Sequence, residues 1–154
     1  MKPKTNTTAQ DIKYVAIQFL ILLLFIVFPN LVYFDFPEFI IWIGIGISVI
    51  GFILFIISIV TLGKSLSLYP SPSSKTELVT NGIYSRIRHP IYTGLLLFLL
   101  GISIAFAGLI KFILFLAAVI LFSKKADYEE SRLIKKYPEY KNYQSRTGKL
   151  LPKL

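Results

Sequence analysis

No charged residue stands between Glu38 and Lys64. A helix rises ~1.5 Å per residue, so residues 39–62 are long enough to cross the ~30 Å hydrocarbon core of a bilayer. The segment is apolar on every side and offers water no polar face, which excludes the half-exposed helix of a soluble domain. Residues 14–34 are also free of charge. Pro29 is expected to kink or end that segment, with Tyr33, Phe34 and Phe36 forming an interfacial belt. Two shorter apolar segments follow, at about residues 90–107 and 109–122, with Gly108 between them. Pro90 suits a first helical turn, and the shortness of the pair suggests a tight hairpin. The expected fold is an all-α, polytopic membrane helix bundle with about four transmembrane helices and a C-terminal juxtamembrane helix. Residues 1–154 read as one domain, with a loop at 63–89 and a tail at 123–154.

Of the 154 residues, 55% are hydrophobic and 16% charged, so any chemistry must sit on the bundle or its edges. The absence of cysteine removes disulfides, thiolate nucleophiles and cysteine zinc clusters, and a single histidine argues against a histidine metal site. No metal is expected. The net charge of +9 comes from basic residues that flank the apolar segments. That placement suits anionic lipid headgroups and not nucleic acid. Residues 1–10 are polar and lack the apolar core and cleavage site of a signal peptide, so the first segment is expected to be retained.

Lysine and arginine placement sets the expected orientation. Lys2, Lys4 and Lys13 precede the first segment; Lys64, Lys75, Arg86 and Arg88 lie between the second and third; nine more follow the fourth. Only Lys111 falls elsewhere, while Asp35 and Glu38 occupy the first connection. A multi-pass protein with both termini cytoplasmic fits this pattern and puts loop and tail on one face. Gly44, Gly46 and Gly51 are expected to admit a close neighbouring helix rather than a ligand.

The loop contains the run Tyr69-Pro70-Ser71-Pro72-Ser73-Ser74 and ends in the densest group of special residues: Gly82, Tyr84, Arg86, Arg88, His89, Pro90, Tyr92 and Gly94. Long loops of this kind are usually functional or disordered. A second polar group, Asp127, Tyr128, Glu129, Glu130 and Arg132, stands where the fourth segment leaves the membrane, in a helix that Pro138 should stop. A hairpin of segments three and four brings Arg88 and His89 opposite Glu129 and Glu130. Plainer readings stand beside this one: positive anchors for Arg86, Arg88 and His89, an aromatic belt for Tyr84 and Tyr92, interface anchoring for Tyr137, Tyr140 and Tyr143, and an (i, i+3) pair of Glu129 with Arg132. Asn81-Gly82 reads as a turn. None of these accounts for acidic residues on the face that favours positive charge.

The run Gly82, Tyr84, Arg88-His89-Pro90, Tyr92 and Gly94 resembles the signature of the isoprenylcysteine carboxyl methyltransferase family and its phospholipid N-methyltransferase relatives. Leu78-Val79-Thr80 before it is similar in character. The tail resembles the family too, through Glu129-Glu130, Leu133, Tyr137-Pro138-Glu139-Tyr140, Tyr143 and Leu150-Leu151-Pro152, so the likeness covers about three fifths of the chain in motif order. The resemblance implies S-adenosylmethionine as methyl donor and a lipophilic or prenylated acceptor arriving among membrane lipids. It implies cofactor-binding positions at Tyr84, His89, Pro90, Tyr92, Gly94, Glu129 and Glu130. Arg88 and Glu130 are the candidate catalytic residues, and Arg132 lies outside the pattern. Carboxyl O-methylation is the leading expectation. Alternatives are phospholipid amine N-methylation, a membrane reductase using NADPH, and a non-enzymatic small membrane protein.

Overall fold

The computed structural model describes residues 7–72 and 77–153; Lys2, Lys4, Ser73, Ser74 and Lys75 lie outside them. Five helices carry the chain: α1 Ala9–Val27, α2 Glu38–Leu62, α3 Pro90–Ala105, α4 Leu109–Lys136 and α5 Tyr140–Arg146. Short 3-10 turns occupy Gly63–Ser65 and Gly82–Ser85, the latter opening on Gly82 with φ +56° as an Asn-Gly turn requires.

α1 begins and ends earlier than the hydropathy suggested. Thr8 and Asp11 form a reciprocal capping box at its start, and Phe28 closes it in an extended conformation ahead of Pro29. At its far end Lys111, reaching from α4, donates to the carbonyls of Phe25 and, at 3.4 Å, Phe28. The one lysine that stood outside the orientation pattern is therefore a buried cap on helix carbonyls that lipid could not satisfy.

α3 and α4 form the expected hairpin, turned at Ala107 with φ +47°. α4 is a single helix from Leu109 to Lys136, ending one residue before Tyr137-Pro138. Four of its turns therefore extend past the apolar segment, carrying Glu129 and Glu130 back toward the start of α3. α4 packs against α1 and α3, and α3 packs against α2. The apolar core lies among Phe25, Leu99, Ala118 and Phe122.

The α2–α3 contact is built on glycine. Gly44 faces Gly101 and Gly51 faces Gly94, both pairs seven residues apart on antiparallel helices. A Cβ on Gly51 would stand 2.4 Å from the Phe98 nitrogen, and one on Gly101 2.4 Å from the Gly44 carbonyl oxygen. Backbones this close leave no room for any side chain. Between the pairs, Ser48 donates to the Phe98 carbonyl at 3.2 Å. Gly46 departs from the expectation: it meets nothing within 4 Å, because two residues of helix rotate it ~200° away from Gly44.

Outward faces are apolar. Ile113, Leu116 and Ile120 recur along α4 with 55–58% of their surface exposed, and Trp42, Ile50 and Val60 on α2 are 62–73% exposed. Such a contiguous stripe suits lipid and not water. Among the described residues, two helices are by length and composition able to cross a bilayer, Ala9–Val27 and α2 with its following turn, Glu38–Ser65. α3, at 16 residues, spans only ~24 Å.

Candidate active site

The site forms where the loop, the start of α3, the outer half of α4 and the C-terminal segment converge. Its backbone frame is a short parallel pairing. Arg88 donates its N–H to the Gly148 carbonyl at 2.9 Å, His89 to Lys149 at 3.1 Å, and Gly148 back to Arg86 at 3.2 Å. Thr93 adds a hydroxyl bond to the Leu150 carbonyl at 2.6 Å. This pairing fixes the residues just before α3 against the C-terminal segment, and Pro90 starts the helix without a free N–H.

At the centre is the Glu130 carboxylate, 4% exposed. Arg88 Nε donates to its Oε1 at 2.7 Å, His89 Nε2 is 3.0 Å from the same oxygen, and Gln144 Nε2 donates to Oε2 at 2.7 Å. Arg88 also donates through Nη1 to the carbonyls of Gln144 and Thr147, which ties α5 into the cluster. Burial pushes the Glu130 carboxyl up. The hydrogen bonds and charges of His89 and Arg88 outweigh it and hold the group at about 2.

The neighbouring Glu129 accepts from the Tyr92 hydroxyl at 2.8 Å and lies 3.8 Å from His89 Nδ1. The imidazole thus stands between two carboxylates, stacked on the Tyr92 ring with centroids 5.4 Å apart. Tyr92 stacks in turn on Phe122 at 5.0 Å. Tyr84 donates to the Ser58 carbonyl at 3.3 Å, and Tyr143 donates to the Tyr84 carbonyl at 2.5 Å. Burial and nearby carboxylate charge raise Tyr84 and Tyr140 well above the ordinary phenol range. Burial drives Tyr143 to about 12, partly opposed by Arg88. All three phenols are neutral at physiological pH.

Several of these groups line a cavity of about 520 Å³, within the ~300–1,000 Å³ typical of small-molecule sites. Arg88, His89, Tyr92, Glu129, Tyr84 and Tyr143 form its polar end. Phe19 and Leu22 of α1, Phe55 and Ile59 of α2, and Leu66, Leu68 and Pro70 of the loop supply its apolar lining. The loop is held down where Ser71 donates its N–H to the fully buried Asp11 carboxylate at 3.0 Å.

The hairpin therefore brings Arg88, His89, Tyr92, Glu129 and Glu130 together. Glu130 is set behind the cavity wall, Pro90 is buried as the first residue of α3, and Gly94 faces Gly51 at the helix crossing. Three plainer readings give way. Tyr84 and Tyr92 are held in the site and not in an interfacial belt. Tyr140 is buried and Tyr143 lines the cavity. Arg132 donates to the Tyr128 hydroxyl at 2.7 Å instead of pairing with Glu129.

Gln144, Thr147 and Lys125 were not singled out by motif. Lys125 had a readable signal: it lies three, four and seven residues after Phe122, Leu121 and Ala118, on the buried stripe of α4. The residue is 3% exposed, and its ammonium donates to Gln18 Oε1 at 2.6 Å and sits 5.2 Å over the Tyr92 ring. Burial lowers it from the ordinary lysine value, against the pull of Glu129 and Asp11.

The family profile described as phospholipid methyltransferase matches residues 39–140. The chain belongs to that family. It is similar to the nickel-cobalt-cadmium resistance protein NccN of Alcaligenes xylosoxydans xylosoxydans, 30% identical over 73% of this chain and 53% of that protein. A probable protein-S-isoprenylcysteine O-methyltransferase of Oryza sativa subsp. indica is 29% identical over 76% of this chain and 66% of its own length. Among solved structures, the eukaryotic intramembrane Ras methyltransferase, isoprenylcysteine carboxyl methyltransferase, superposes with a TM-score of 0.69 at 25% identity, covering 96% of this chain and 54% of that one. The chain thus spans about half the length of NccN and of that solved methyltransferase.

Proposed function

We propose that this chain is an S-adenosylmethionine-dependent methyltransferase of the membrane surface, acting on a lipophilic acceptor, with isoprenylcysteine-type carboxyl O-methylation as its reaction. The observation that carries the proposal is one cavity with two characters. A charged and aromatic end is braced by Glu130 through Arg88 and His89, and it continues into an apolar part walled by α1 and α2.

The polar end fits the methyl donor's chemistry. Glu129 offers carboxylate charge to a sulfonium or an α-amino group, and Tyr84 and Tyr143 line the cavity as aromatic surface for a cation or a nucleobase. When bound, the donor supplies an electrophilic methyl group on a positively charged sulfur. The chain's own part is placement. Glu130 fixes Arg88 and His89, α5 and the C-terminal pairing fix Glu130, and the loop covers the cavity against water. Alignment of this kind lowers a barrier by ~7–11 kcal/mol when it is good. A carboxylate acceptor is already a nucleophile and needs no base.

A phospholipid amine is the second reading, favoured by the family's description. An amine must be neutral to attack and must then lose a proton, and Glu129, one of two carboxylates lining the cavity with Glu77, is placed among the site's aromatic and basic groups to take it. Four crossings by α1 to α4, with both ends and the polar end of the cavity cytoplasmic, complete the proposal.

Titration of the purified protein with S-adenosylmethionine, S-adenosylhomocysteine and NADPH tests it. Binding of the first two is expected, and binding of NADPH alone overturns the proposal. Transfer of a labelled methyl group to prenylcysteine acids or to phosphatidylethanolamine then separates the two acceptors.

A further inference from the structure

Lys125 is a buried cation that the bracing network does not use. The network closes on Glu130 through Arg88, His89 and Gln144, while Lys125 sits apart from it on the cavity wall. One of its protons goes to Gln18 at 2.6 Å, and the Leu68 carbonyl is at 3.5 Å, at the limit of a hydrogen bond. An ammonium has three donors, so at least one remains for a molecule in the cavity.

Its position falls where the two ends of the cavity meet. On one side is the Tyr92 ring, whose hydroxyl reaches Glu129. On the other is Gln18, one helical turn from Leu22 on the apolar wall of α1. An acceptor whose tail lies between α1 and α2 therefore presents its head group to Lys125 before it reaches the polar end.

We infer that Lys125 selects the acceptor by pairing with an anionic carboxylate head group, making it a specificity residue for carboxyl over amine acceptors. This assignment rests on the proposed methyltransferase function. In the reaction a carboxylate oxygen forms the bond to the methyl carbon as the carbon–sulfur bond breaks. The electron pair of that bond goes to sulfur, leaving a neutral thioether and a neutral ester, and no proton moves. Negative charge on the acceptor thus fades along the reaction, so a cation beside it favours the bound acid more than the transition state. The same cation repels an ammonium head group and holds a neutral ester product weakly.

The experiment compares N-acetyl-S-farnesylcysteine with its carboxamide, both titrated without donor into wild-type protein, Lys125→Gln and Lys125→Arg, with S-adenosylhomocysteine binding measured in each. The wild type is expected to prefer the acid by about 10- to 100-fold, the worth of a buried charge-assisted hydrogen bond. Lys125→Gln should lose the preference while binding carboxamide and S-adenosylhomocysteine as before, and Lys125→Arg should keep it. In turnover, Lys125→Gln should raise KM for the acid with kcat unchanged or higher. A preference for the acid that survives in Lys125→Gln, with S-adenosylhomocysteine still bound, overturns the assignment alone. Weakened S-adenosylhomocysteine binding in Lys125→Gln that Lys125→Arg does not restore points to a packing role and also overturns it. Wild-type protein that binds no S-adenosylhomocysteine overturns the methyltransferase proposal and this assignment with it.

Discussion

Glu130 meets a guanidinium, an imidazole and a carboxamide in a pocket that water barely reaches. Removing the carboxylate leaves Arg88 buried with two backbone carbonyls but no counter-charge. Glu130→Ala is therefore expected to cost about 3–5 kcal/mol, as breaking a buried pair does, and to weaken donor binding. Glu130→Gln keeps an acceptor oxygen and should cost less. Thermal unfolding in detergent checks both, and an Ala variant as stable as wild type would contradict the network. The pH dependence has a definite sign. Because the folded-state value of about 2 lies below the ordinary 4.5, the contribution is complete above about pH 4.5 and is lost as pH falls toward 2. The stability gap between wild type and Glu130→Gln should therefore narrow as pH falls through that window. Arg88, His89, Glu129 and Glu130 were legible as neighbours because a hairpin needs only two lengths and one turn. Gln144 and Thr147 were not, since their contacts depend on how α5 folds back after Pro138, which no local pattern encodes.

At the scale of elements, the α2–α3 crossing separates glycines that look alike in sequence. Gly44 and Gly51 share a face because seven residues bring a helix nearly two full turns round; Gly46 does not. Gly51→Val should force the Phe98 backbone aside, and overpacking of this sort costs about 1–3 kcal/mol or more. Gly46→Val should leave unfolding temperature nearly unchanged, because its Cβ would meet open space. Equal losses in the two variants would rule out the observed register. The crossing also matters for the site, since Gly94 lies one turn after Pro90 and fixes how the start of α3, with Tyr92, is presented to Glu129. That small residues would be used for packing was readable from composition. Which ones face the partner required the phase of a second helix, and α1's boundaries likewise required the Thr8–Asp11 cap and the burial of Lys111, both of which hydropathy alone ignores.

Across the whole molecule, charge and length give unequal information. Two helices are long and apolar enough to cross a bilayer on their own, whereas α3 falls short and α4 carries its apolar stretch only as far as Phe122 before becoming charged. The four crossings proposed above require the bilayer to thin locally around α3 and the long side chains at the helix ends to reach outward, a mismatch costing only fractions of a kcal/mol per Å. Lys111, buried against the end of α1, then no longer counts as an outside charge. What remains is an acidic first connection, with Asp35 and Glu38, opposed by basic segments at the other end of the bundle. Because the sequence has no cysteine, single substitutions report topology without background. In intact cells a membrane-impermeant maleimide should label Asp35→Cys, while Lys64→Cys and Lys141→Cys should react only after permeabilisation. Labelling of Lys141→Cys from outside would put the Glu130 network on the wrong side for a cytoplasmic methyl donor. Labelling of Asp35→Cys and Lys64→Cys from the same side would mean that α2 does not cross at all.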